Sequence, residues 1–173
     1  MTEKLVSVLL SVLGGIKAIP FGRELISFIL SLMPIIELRG GIIAGRALGL
    51  APLPTFIICY IGNILPVPFI LWLIKRIINW LGNSNINLLK KFVNSLNQKV
   101  KDKKGQIEKY GFWGLVLFIG IPLPGTGAWT GCLIAAMLDM DKKKSFIAAM
   151  IGVLMAGIII SILSIGIFDG ILG

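Results

Sequence analysis

The chain contains no histidine, two cysteines, two tyrosines and only 8 acidic side chains among 173 residues. Without histidine there is no imidazole base, no histidine proton relay and no Cys/His zinc site. Cys59 and Cys132 each lie inside an apolar segment, so no CxxC motif or disulfide framework is expected, and both read as small packing residues. No metal-ligand cluster appears, and no phosphate-cradling Gly-rich motif with a lysine follows a strand. The sequence therefore predicts no enzyme, no bound metal and no cofactor.

Charge is scarce too. Only 14% of residues are charged, where a soluble domain carries about a quarter. Apolar residues make up 56%, and mean hydropathy is +0.93. A soluble fold of this length buries about 70% of its unfolded surface and has no room for so much apolar material. Lipid removes the difficulty. The expectation is one all-α integral membrane domain, residues 1–173, in the cell membrane. The net charge of +9 sits in blocks between uncharged runs, which fits the positive-inside rule and not nucleic-acid binding.

Five uncharged runs organise the chain: residues 5–16, 25–36, 47–74, 110–138 and 145–168. A spanning helix needs about 20 apolar residues. Residues 145–168 meet that length, as does a helix over 55–74 with kinks at Pro66 and Pro68, ending at Lys75-Arg76. Residues 5–16 resemble a short signal peptide, but no A-x-A-like site follows before Pro20. Retention as a first membrane helix is expected, with Lys17 snorkelling.

The run 110–138 is interrupted by Pro122-Leu123-Pro124-Gly125-Thr126-Gly127, which no straight helix tolerates. Each arm beside it reaches about 17 Å, half a bilayer. Lysines flank both ends, Lys99 to Lys109 before and Lys142 to Lys144 after. Both flanks belong on the cytoplasmic side, so the segment reads as a re-entrant hairpin. Irregular backbone at that depth needs protein or a water-filled cavity around it.

The first half has a parallel. Residues 25–33 precede Pro34-Ile35-Ile36-Glu37-Leu38-Arg39-Gly40-Gly41, and a second apolar stretch runs to Leu50. Sliding the halves together brings Gly41 and Gly45 onto Gly127 and Gly131. An insertion of four residues then brings Phe56 and Gly62 onto Phe146 and Gly152. The predicted fold is thus two inverted halves, residues 1–78 and 110–173, each a re-entrant hairpin followed by a spanning helix. Between them, residues 79–109 read as a basic amphipathic helix on anionic lipid, or as a solvated connector whose lysines set orientation. This connector and the loop 139–144 are expected on the cytoplasmic side.

Glu37 and Arg39 are the sharpest candidates, because a charge near mid-membrane costs about 2.5–3.5 kcal/mol on insertion scales. Arg39 suits an anionic group, and a buried Glu37 suits taking and releasing a proton. The alternative is that the two pair, or pair with Arg46, and lock the hairpin. Arg46 either extends a positive path outward or snorkels. Pro34, Gly40 and Gly41 shape the first break. At the second, Pro122, Pro124, Gly125 and Gly127 set turn geometry, while Thr126 and Trp129 face a ligand or pack the hairpin. Asp139 and Asp141 read as part of a solvated interfacial cluster with Lys142 to Lys144.

The motif at residues 34–41, paired with Ile121-Pro122-Leu123-Pro124-Gly125-Thr126-Gly127-Ala128-Trp129-Thr130-Gly131, resembles the small multidrug export protein family over nearly the whole chain. That family looks distantly similar to the DedA (VTT-domain) membrane proteins, whose fold has two opposed re-entrant hairpins. The resemblance implies export of small compounds or, on the DedA side, proton-linked movement of lipid phosphates such as polyprenyl phosphate. Glu37 and Arg39 match such a role. The second hairpin departs from the DedA pattern, with no arginine near its Pro-Gly turn. The expectation is a small multi-pass transporter, proton-coupled, moving an amphipathic or anionic substrate. A lipid flippase or scramblase and a non-transporting membrane scaffold are the alternatives. Membrane lipids and protons are the expected partners, together with a second copy of the chain, since one chain offers few spanning helices to enclose a path.

Overall fold

The computed structural model describes residues 20–82, 98, 110–123 and 125–168, and among them every regular element is helical. In chain order these are α1 (Gly22–Leu32), α2 (Glu37–Ala47), α3 (Pro52–Ile64), α4 (Val67–Gly82), α5 (Tyr110–Gly120), α6 (Ala128–Met137) and α7 (Lys142–Phe168). The expected first membrane helix at residues 5–16, nearly all of the connector 79–109, and Pro124 lie outside the described residues.

Among the described residues, two stretches are long and apolar enough to cross a membrane. Lys142–Ile167 is one, and Pro52–Leu73, made of α3 and the start of α4, is the other. The first long helix begins at Pro52, three residues before the expected start, because a proline in the first turn forfeits no helical hydrogen bond. It breaks at Leu65-Pro66, where Pro66 and Pro68 bring no N–H to the carbonyls of Gly62 and Ile64. The ladder resumes where the Ile70 amide donates to the Pro66 carbonyl at 3.0 Å. It then continues past Lys75-Arg76 to Gly82, since lysine and arginine mark where a helix leaves lipid without ending it. The connector's first four residues are therefore the end of α4.

The helices beside the two breaks are short. α1 and α2 have 11 residues each and α6 has 10, about 15–17 Å of rise, against about 30 Å of hydrocarbon. The first break is narrower than the motif suggested: only Met33 to Ile36 leave the helix, and Glu37 already opens α2.

Packing divides the chain into two compact units. One takes Met1–Asn63 and Gly157–Gly173, the other Ile64–Ala156. In the first unit α1 packs on α2, and small residues bring α3 against both. A Cβ at Gly45 would lie 2.5 Å from Thr55 Cγ2 and 2.7 Å from Ser27 Oγ. One turn along, a Cβ at Gly41 would meet Ser31 Oγ, the Ser27 carbonyl at 2.9 Å and Cys59 Sγ at 3.0 Å. Gly62 takes the same close approach to the Phe28 carbonyl, at 2.9 Å. From α7, a Cβ at Gly157 would lie 2.5 Å from the Phe56 ring and 3.3 Å from Leu38.

In the second unit, too, glycines stand where helices approach closely. A Cβ at Gly131 of α6 would lie 2.7 Å from Ile119 of α5, and one at Gly152 of α7 would lie 2.9 Å from the Val116 carbonyl. Gly62 thus seats α3 against α1, and Gly152 seats α7 against α5. α4 packs on α6. The outward sides stay apolar: Ile158, Ile162 and Ile165 of α7 are exposed, as are Ile57 and Ile61 of α3. Such patches are unusual on a soluble monomer and ordinary against lipid.

Candidate functional site

The first hairpin turns at Met33, Pro34, Ile35 and Ile36, all exposed, with Ile35 at 94%. The Glu37 amide then donates to the Met33 carbonyl at 2.9 Å, and the Gly40 amide to the Ile36 carbonyl at 3.1 Å, which starts α2. Glu37 sits in the left-handed region, at φ +52°, which costs a side-chain-bearing residue about 1–2 kcal/mol. Its side chain is only 6% exposed.

Arg39 follows two positions later, half-buried and within electrostatic reach of Glu37. Gly40 lies against the Ile36 side chain, and Gly41 admits Ser31. Arg46 stands two turns along the same helix, where its Nη1 donates to the Leu50 carbonyl at 2.8 Å. That bond ties the turn between α2 and α3, so Arg46 has a structural task in addition to any electrostatic one.

The second break is held by a side chain. Thr126 Oγ1 lies 2.8 Å from the Leu123 carbonyl and 3.0 Å from that of Ile121, either of which can accept its proton, and it receives the Leu123 amide at 3.3 Å. Gly125 and Gly127 adopt φ of +76° and +143°, open to glycine and strained for other residues. Pro122 and Trp129 are half-buried beside them. An apolar cavity of about 300 Å³ opens at this break, lined by Tyr110, Gly114, Leu117, Phe118, Ile121, Leu123 and Thr126.

The candidate residues thus form two groups. Pro34, Glu37, Arg39, Gly40, Gly41 and Arg46 belong to the first unit. Pro122, Gly125, Thr126, Gly127 and Trp129 belong to the second.

A sequence profile for the family described as "Putative small multi-drug export protein" matches residues 37–159. The chain belongs to that family. No curated protein and no solved structure matches it. The export-family match opens on Glu37, directly after the first break, and runs through the second break into α7, so it takes in the charged head of α2 together with the Thr126 turn. Membership and the apolar helices together make this a membrane protein of the small multidrug export type.

Sequence reasoning passed over one feature of the first unit. Ser27, Ser31, Thr55, Cys59 and Asn63 are all buried there. Ser31 Oγ donates to the Ser27 carbonyl at 2.8 Å, and Thr55 Oγ1 to the Ala51 carbonyl at 2.7 Å. The signal was present as spacing: Ser27 and Ser31 are four apart, and Thr55, Cys59 and Asn63 repeat every four residues.

Proposed function

We propose that this chain is a proton-coupled exporter of small amphipathic or anionic compounds, with Glu37 as the coupling carboxyl and Arg39 as the anion contact. The observation that carries this is the burial of Glu37 at the head of a half-length helix, in electrostatic reach of Arg39. An ionisable group in such a place is costly to keep and marks an ion or substrate path. Family membership supplies the export class. In this reading both hairpins are re-entrant and inverted, the connector 79–109 and the loop 139–144 face the cytoplasm, and two copies of the chain enclose the path. A second reading, movement of a lipid phosphate as in DedA-type proteins, is favoured by the apolar cavity of about 300 Å³ beside the Thr126 turn, which suits an acyl or prenyl chain.

The test is transport in liposomes holding the purified protein, with and without a pH gradient. A fluorescent organic anion and a fluorescent polyprenyl phosphate serve as probes. Gradient-driven movement of the soluble anion, lost in Glu37→Gln and weakened in Arg39→Ala, supports export. Movement of the lipid phosphate alone favours the second reading. No movement of either by folded protein overturns both and leaves a scaffold role.

Labelling single cysteines at Lys109 and Lys142 tests the topology. Access from the same side supports the re-entrant second hairpin, and access from opposite sides removes it.

A further inference from the structure

Three levels can be read up the first unit. Gly45 stands against Thr55, and Gly41, four residues back, stands against Cys59, four residues on. Four residues further along each of the same two helices come Glu37, the first residue of α2, and Asn63, so the spacing puts these two at the next level. Gly62, the neighbour of Asn63, packs against Phe28 and Ser31 in the second half of α1, the arm that leads into the first break. Asn63 is 2% exposed, and its Oδ1 is buried with no hydrogen-bond partner. Leaving a buried acceptor unsatisfied carries the full desolvation cost of that group, more than a mere packing residue would justify.

We propose that Asn63 is the second member of the Glu37 site, a positioning residue whose carboxamide oxygen accepts the O–H of the protonated Glu37 carboxyl. A neutral carboxylic acid has a donor that the ionised form lacks, and Asn63 is an acceptor waiting at the same level. The bond stabilises the proton-loaded state specifically. Arg39 acts in the opposite sense by favouring the carboxylate. Of the other titratable groups on the surrounding helices, Cys59 and Tyr60 are on α3, and Arg23 and Glu24 are at the far end of α1. α7 offers none between Gly157 and Phe168. The pair is not a relic of the repeat: the sequence offset places Leu123 and Val153 at the corresponding positions of the second half, both apolar.

This inference rests on Glu37 being the proton carrier, but its test needs no transport. In the full-length protein in lipid nanodiscs, infrared difference spectra at acidic pH identify the Glu37 carboxylic C=O stretch as the band absent in Glu37→Gln. Asn63→Leu should move that band upward in frequency, as loss of a hydrogen bond requires, with Asn63→Val doing the same if leucine does not fit. An unmoved band in a folded variant overturns the proposal, as does the absence of any Glu37 band. A shifted band in protein that moves no probe keeps the pair and removes the export reading. Coupled transport with an unmoved band does the reverse.

Discussion

Ser31 donates through Oγ to the carbonyl of Ser27 at 2.8 Å, and the thiol of Cys59 reaches the same oxygen at 3.8 Å. One backbone acceptor on α1 thus collects a donor from its own helix and another from α3. This is possible only because Gly41 leaves space between them. A methyl group at Gly41 would meet Ser31 Oγ, with the Ser27 carbonyl at 2.9 Å, and a backbone carbonyl cannot swing aside. Gly41→Ala should therefore lower stability by about 1–3 kcal/mol, as overpacking does. Thermal unfolding in detergent checks this. Gly166→Ala is the control, because nothing lies within 4 Å of a Cβ there, and it should be neutral or stabilising by up to about 1 kcal/mol.

Glu37 sets backbone preference against side-chain function. At φ +52° glycine is the residue the backbone favours, so Glu37→Gly should leave stability unchanged or raise it by about 1 kcal/mol. The same variant should abolish coupled transport in liposomes. A variant that unfolds would show that the Glu37 carboxyl holds the hairpin together, and a folded one that still transports would remove Glu37 from the mechanism.

The elements that composition and breakers specify were the legible ones. Pro34 with Gly40-Gly41 marked the first break, Pro122 and Pro124 with Gly125 and Gly127 marked the second, and the uncharged lengths marked Pro52–Leu73 and Lys142–Ile167. The boundaries at Pro52 and Gly82 were harder, because a first-turn proline and a basic pair look like stops when they are tolerated inside a helix. Glu37 and Arg39 stood out because charge in an apolar run is conspicuous. Asn63 did not, since a neutral amide disturbs hydropathy little. Its importance depends on burial and on the level it shares with Glu37 across two helices, and no window along one segment displays that.

Thr126 makes a test of the second break. Its hydroxyl serves the Leu123 amide and the carbonyls of Leu123 and Ile121, tying a turn that contains no regular helix. Thr126→Val keeps the shape and removes the hydrogen bonds, so it should cost about 1 kcal/mol. Thr126→Ser restores the hydroxyl and most of that loss. Thermal unfolding of the pair separates the hydrogen bonds from the packing. Equal losses in both variants would show that the methyl group holds the turn instead.

Asp141 has a more specific task than a place in a solvated charge cluster. Its Oδ1 accepts the Lys144 amide at 2.8 Å, and its carbonyl accepts the Ser145 amide at 2.8 Å, so it caps the N-terminus of α7. Lys142, Lys143 and Lys144 fill the first turn, where the helix dipole disfavours positive charge. The cap therefore supplies the anion that end would otherwise lack. Asp141→Ala should destabilise by about 1–2 kcal/mol and Asp141→Asn by less, since the amide oxygen still accepts the Lys144 N–H. Amide exchange over residues 142–146 locates the effect. Faster exchange confined to that turn is the expected result in Asp141→Ala, and unchanged exchange would show that the lysines alone hold the start of α7 at the membrane surface.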